Sequence, residues 1–419
     1  MKVRNWEVFL FSCLLFATGL GIYSGYALVQ KTFILDINSP VFAYEQNQFN
    51  DSSFSKEYDF PGQGNITYWI EIPKNSTILN ATFNLTGKIT TIYKVQVSSD
   101  ALKGLSIGNA TPNEVNEISV GTAPEGDLKL LYGLNGSTIW SVSISSNNDV
   151  YSTDIGNVTS DSGNEIAVGS NNDHVYLLNS NGIEIWSRSL ENRVYAVRIG
   201  DIYENQENYV VAGAGNNVSV INASGEINWT VNLGAVIYSI AVGNVTSDSG
   251  NEIVAGCGGG KIFIINSTGG IVNNFVIGSG SINSVDVGNV TSDSGNEIIA
   301  GSTDLKIYVT NSSGSIIWQF STGGYVNSVK TGDVISQEYG NEVVAGSNDM
   351  YVYTLNKDGN LIWRFKAEDY VNTIGIGNLT SDEGNEVAAG GADGYIYTFN
   401  FDYFPDNVSI DVDADGSYE

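Results

Sequence analysis

A chain of 419 residues with 46 acidic side chains against 18 basic ones carries a net charge of −28. Such a surface repels phosphate backbones, which are bound when Lys and Arg displace counterions, so nucleic-acid recognition is excluded. The 48 glycines, 6 prolines and 23 tyrosines point to many short strands joined by tight turns, while 2 cysteines and 1 histidine leave no disulfide framework, no zinc site of His and Cys, and no His-based triad.

In chain order, Lys2 and Arg4 precede an uncharged stretch of 22 residues from Val8 to Val29, long enough to cross a bilayer as a helix. Residues 1–31 are expected to be an uncleaved signal-anchor, with a cleavable signal peptide as the alternative. Either places everything after Lys31 outside the cytoplasm, with the membrane met only through this helix. Seventeen Asn-x-Ser/Thr triplets (sequons) agree with an exported, glycosylated surface protein. Residues 44–88 alternate like strands without repeating, and residues 403–419 do the same. Both are expected to form one β-sandwich into which the intervening region is inserted.

That region repeats. GNVTSDSGNEIAVG from Gly156 returns in variant form from Gly108, Gly200, Gly243, Gly288, Gly332 and Gly377, at steps of 48, 44, 43, 45, 44 and 45 residues. Each unit holds four runs of period-two alternation bounded by Gly, Asn and Ser, which predicts an all-β, seven-bladed β-propeller over residues 89–402. After Gly390 only GYIYTFNFD continues the pattern, so the last blade lacks its outer strand. TTIYKVQV, at residues 90–97, is expected to supply it and close the ring. Trp140, Trp186, Trp229, Trp318 and Trp363 recur at one place in the fourth strand and are expected to pack between blades.

Two resemblances follow from these residues. VYTLNKDGNLIWRFKA resembles the repeat of quinoprotein-type (PQQ-like) propellers. GN-VTSDSG-NE-IVAG resembles the FG-GAP/VCBS repeat of integrin α-subunits and of many microbial surface proteins; together the two cover residues 90–400. The second resemblance implies calcium loops. In blade two the oxygens would come from Asn157, Thr159, Asp161, the Gly163 carbonyl and Glu165. Blade four offers Asn244, Thr246, Asp248 and Glu252; blade five Asn289, Thr291, Asp293 and Glu297; blade seven Asn378, Thr380, Asp382 and Glu386. Calcium wants six to eight oxygens, and each loop offers two carboxylates. The preferred alternative is an Asx-type turn with an exposed acid.

Antiparallel order puts the first and third connections of every blade on one face. That face holds nine of the eleven sequons of the ring, at Asn109, Asn135, Asn157, Asn222, Asn244, Asn266, Asn289, Asn311 and Asn378, where glycans would exclude a partner by bulk; Asn217 is the clear exception. The opposite face carries Asp173, His174, Arg193, Asp304, Asp349, Asp369, Tyr370 and Asp393, the residues expected to contact a protein or carbohydrate at the cell surface. Asp154, Arg198, Asp286 and Lys330 share one column of the inner strands and are expected to line the axial channel. The function expected is a non-catalytic binding or adhesion module. The alternatives are an envelope scaffold, a quinone-dependent dehydrogenase or a polysaccharide lyase.

Overall fold

The computed structural model describes residues 26–34, 44–45, 65–73, 81–83, 85–86, 90–401 and 408–410, apart from 112–114, 145–147, 161–162, 247–249, 292–294, 336–339 and 381–383. Contacts divide the chain into two units, Met1–Lys88 with Tyr403–Glu419, and Ile89–Asp402.

The second unit is a seven-bladed β-propeller of four-stranded sheets, each strand pairing with its sequence neighbour. Blade two, for example, runs Val150–Gly156, Glu165–Ser170, His174–Leu178 and Glu184–Ser189 from the axis outward. The exception is the last blade. Its strands Val371–Gly377, Glu386–Gly391 and Tyr395–Asn400 are completed by Thr90–Gln96, in register from Tyr395 opposite Gln96 to Asn400 opposite Thr90. The Thr398 hydroxyl accepts from the Tyr93 amide at 3.1 Å and donates to its carbonyl at 3.0 Å. The expected clasp is therefore present, and it leaves no blade with an unfilled outer position.

Burial follows position in the blade. Second strands such as Glu297–Ser302 are buried at every residue, because a neighbouring blade covers each face. Outer strands such as Ile316–Ser321 alternate between exposed and half-buried. The core is accordingly seven seams, one at each blade junction. Ala167, Leu177, Val194 and Val197 form part of one, and Leu379, Ala388 and Ile396 close the last seam against Leu102, Ile118 and Val120. Each such side chain stabilises by about 1.5–3 kcal/mol on burial. The glycine ending each innermost strand sets how closely blades approach: a Cβ on Gly156 would lie 2.7 Å from Ile199 Cγ2, and one on Gly243 would lie 2.7 Å from Val287 Cγ1.

The tryptophans do pack between blades. Trp140, Trp186, Trp229 and Trp318 donate their indole N–H to the carbonyls of Ser180, Ala223, Ser267 and Lys357 in the next blade, at 2.9, 3.0, 2.9 and 2.9 Å. Each ring lies over a turn glycine of left-handed φ, such as Gly182 (φ +76°) beneath Trp140. Trp363 instead meets Phe399 and Phe401 edge to face, where the chain leaves the ring.

In the first unit, Tyr26–Ile34 pairs antiparallel with Asn65–Pro73, Tyr44–Glu45 with Leu85–Thr86, and Ala81–Phe83 with Val408–Ile410. No sandwich is seen among the described residues. The helix expected over Val8–Val29 is corrected at its end, since Tyr26–Val29 are strand; the preceding residues lie outside the described ones. No helix among the described residues is long and apolar enough to cross a membrane.

Candidate functional site

The repeated loop can be assembled residue by residue. In blade five, the carboxylate of Glu297, buried at the start of the second strand, accepts from the amides of Val290 and Thr291 at 2.8 and 3.0 Å and from the Thr291 hydroxyl at 2.8 Å. Glu117, Glu165, Glu252 and Glu386 hold the loops of blades one, two, four and seven in the same way. The asparagine before each glutamate, and Asn208 before Tyr209 in blade three, reaches the previous blade. Asn164, Asn208, Asn251, Asn296 and Asn385 donate side-chain N–H to the carbonyls of Asn109, Asn157, Asp201, Asn244 and Asp333, at 2.5–3.0 Å. The amides of Asn341 and Asn116 do so to Asn289 and Asn378, both at 3.1 Å, so a belt of hydrogen bonds crosses all seven junctions.

The calcium expected at Glu165, Glu252, Glu297 and Glu386 meets a competing use of each carboxylate, since amide and hydroxyl donors already occupy lone pairs that a cation would need. Asn157, Asn244, Asn289 and Asn378 contribute their carbonyls to the inter-blade belt. Asp161, Asp248, Asp293 and Asp382 lie outside the described residues. Among the described residues no three His, Cys, Asp or Glu side chains converge as a metal site. Of the sequon asparagines in the third connections, Asn135, Asn222, Asn266 and Asn311 each accept at Oδ1 from the amide two residues on, forming Asx turns.

The opposite face divides the expected contact residues into two groups. Asp304, Asp349 and Asp393 each accept from the hydroxyl of a tyrosine four residues on, Tyr308, Tyr353 and Tyr397, at 2.8, 2.6 and 2.6 Å. Burial works to raise the Asp304 pKa, but the Ser279 amide and the Tyr308 hydroxyl outweigh it and hold it below the usual carboxylate value. Burial and then the aspartates push all three tyrosines upward. These acids brace turns. Asp173 takes the left-handed turn position (φ +69°), and His174 Nδ1 lies 2.8 Å from the Asn172 carbonyl. Arg193 and Tyr370 are exposed, the latter by 47%, and Asp369 caps the Tyr370 amide at 2.7 Å.

Between these residues and the axis lies a ring that sequence reasoning missed. Near its start every innermost strand carries a register shift. The residues at the shift are Lys103, Tyr151, Tyr195, Tyr238, Asn283, Asn327 and Asn372. In blades five to seven, the asparagines donate to the next blade, at the carbonyls of Val326, Val371 and Leu102 (3.3, 3.0 and 3.1 Å). In blades two to four, the tyrosines touch one another, with ring centroids 4.9 Å apart from Tyr151 to Tyr195 and 5.7 Å from Tyr195 to Tyr238. Burial and then the nearby Asp149 carboxylate push the Tyr151 pKa up to about 12. Tyr195 lies near the exposed Arg193 and raises its pKa. The signal was present as one column of the inner strands, VYS, VYA and IYS against INS, VNS and VNT.

Deeper in the axis, the expected column is self-compensating. Asp154 and Asp286 accept from the amides of Ile199 and Thr331 at 2.7 and 2.9 Å, and Lys330 Nζ lies 3.5 Å from Asp286. Burial and then the nearby Arg198 pull the Lys330 pKa down, against Asp286 and Asp154.

Comparison with known proteins places these features. Residues 124–293 match a family model described as outer membrane protein assembly factor BamB, and residues 279–378 and 310–402 match one described as the lambda-carrageenase beta-propeller domain. No curated protein matches significantly. Among solved structures, BBS1N in complex with ARL6DN, soaked with lead, is similar at 13% identity and a TM-score of 0.63, over 75% of this chain and 98% of that one. The same complex soaked with mercury gives 13% and 0.60, over 78% and 98%. At such identity the likeness is one of fold. With the ring, the clasp and the repeat all described, the chain is a seven-bladed β-propeller, PQQ-like over the matched residues 124–293.

Proposed function

We propose that this propeller is an exported cell-surface binding module that meets its partner at the channel-mouth face, opposite nine of the ring's eleven sequons. The observation that carries the reading is the asymmetry of the mouth. Tyr151, Tyr195 and Tyr238 break the ring's repetition on one side, and the exposed Tyr325 (50%) and Tyr370 (47%) stand just before the inner strands of blades six and seven. Amphipathic aromatics on a rigid rim suit binding, since each offers large contact area at small entropic cost. The likeness of the GN-VTSDSG-NE loops to FG-GAP/VCBS repeats of surface proteins agrees with that placement. The test is binding of the purified chain to whole cells or envelope polymer. Tyr325→Ala with Tyr370→Ala should weaken it, and Asn311→Gln on the sequon face should not; the reverse pattern overturns the reading.

A second reading, action on a polysaccharide, is favoured by the match of residues 279–402 to a lambda-carrageenase propeller domain. Incubation with lambda-carrageenan, followed for new reducing ends, decides it.

A further inference from the structure

We infer that Tyr151, Tyr195 and Tyr238, together with Asp149 and Arg193, form a subsite for an uncharged sugar, an inference resting on the channel-mouth reading above. Three observations carry it.

The first concerns what this column does elsewhere in the ring. In blades five to seven an asparagine at the same bulge ties its blade to the next through a carbonyl. Closure of the mouth therefore has a polar solution available, and blades two to four do not use it. Aromatic side chains that serve only as inter-blade packing in this molecule are of another kind: Trp140, Trp186, Trp229, Phe275 and Trp318 lie flat on turn glycines at the rim. At the mouth the residue is tyrosine in all three consecutive blades, each half-buried, so part of each ring stays open to solvent.

The second is the placement of hydrogen-bonding groups. Asp149 lies near enough to Tyr151, and Arg193 near enough to Tyr195, to shift its neighbour's titration, so a carboxylate and a guanidinium stand beside the aromatic shelf. The rings are inclined by 38° and 54° to one another, giving a curved shelf rather than a flat one. A pyranose presents the matching chemistry: an apolar C–H face for the ring, bordered by hydroxyls that both donate to a carboxylate and accept from a guanidinium.

The third is charge. Asp149 and Arg193 offset each other at the shelf, inside a chain of net charge −28. A sulfated or carboxylated sugar would approach against that field with one exposed arginine to hold it, whereas a neutral sugar meets no such opposition.

The test is calorimetric titration of the full chain with neutral gluco-, manno-, xylo- and galacto-hexasaccharides, and with lambda-carrageenan as the polyanion. At least one neutral hexasaccharide should bind. Tyr195→Ala or Tyr238→Ala should weaken it about tenfold, the worth of one aromatic contact. Tyr195→Phe keeps the ring and frees Arg193, so it should fall between wild type and Tyr195→Ala, which covers the case in which the alanine variant folds poorly. Binding of no neutral sugar, binding unchanged in Tyr195→Ala, or a preference for lambda-carrageenan each overturns the inference. If the Tyr325 and Tyr370 substitutions abolish cell binding while no sugar binds, the mouth is the interface and its ligand is not a sugar. If cell binding survives every mouth variant, the face reading falls as well.

Discussion

The two faces of the wheel are made from the same seven units, yet they treat repetition in opposite ways. On the sequon face the loop glutamate recurs in six blades and the asparagine before it in all seven, each meeting a partner that itself recurs. On the mouth face the bulge column changes from lysine to tyrosine to asparagine around the ring. A role in closing a ring must be met at every junction, so residues serving it repeat. A ligand has no sevenfold symmetry, so residues serving one need not repeat. Within a single repeat protein, departure from the internal consensus at a fixed column therefore marks the site better than the consensus does.

Four measurements would break or sharpen that contrast. The largest effect is expected on the repeated side. Glu297→Ala strands two amides and a hydroxyl in a buried loop and should cost roughly 3 kcal/mol in urea unfolding. Tyr195→Ala should leave the unfolding midpoint much closer to wild type, and equal losses would erase the distinction.

The next effect comes from the blade that departs from the motif. In blade six Ile335 stands where five of the other loops place a threonine. Glu342 accepts only the Val334 and Ile335 amides, at 3.1 and 3.0 Å, and its Oε1 has no hydrogen-bond partner among the described residues. Burial pushes its pKa from 4.5 to about 7, against those amides. The folded state thus binds the proton more tightly than the unfolded chain, so this group's contribution makes stability fall as pH rises from about 4.5 to about 7. Glu342→Gln should flatten that slope and be neutral or stabilising at pH 8, whereas Glu297→Gln should destabilise. A slope unchanged by Glu342→Gln would refute the assignment.

A smaller loss, about 1 kcal/mol, is expected for Asn296→Ala, which removes one 2.9 Å bond of the inter-blade belt. The smallest effect is none: chelator should leave the melting temperature unmoved, since the loop carboxylates already hold N–H and O–H donors. A chelator-dependent shift would restore calcium to the loops.

Much of the architecture was legible before any coordinates. The period fixed the blade number, and the missing fourth strand after Gly390, set against TTIYKVQV upstream, revealed the clasp. The duty of the loop glutamate was not legible, because a carboxylate spaced to meet calcium looks the same as one spaced to receive amides from its own turn. The local duty of the acids on the mouth face was hidden for a related reason. Asp304, Asp349 and Asp393 stand among the expected partner contacts, and only the coordinates show that the tyrosine four places on donates to each of them. The tyrosine column was overlooked because period-two alternation assigns those positions simply to one side of a strand. Only the register shift turns them together at the mouth.

The clasp bears on how such a chain is made. Thr90–Gln96 leaves the ribosome before any blade, and Tyr395–Asn400, the strand it pairs with, is added after all the others. Through translation the first strand must wait with its edge unsatisfied, and a product truncated anywhere upstream of Tyr395 can never circularise. Completion of the sheet therefore reports that the whole array has been synthesised, and an interrupted chain keeps the open edges that proteolysis and aggregation act upon.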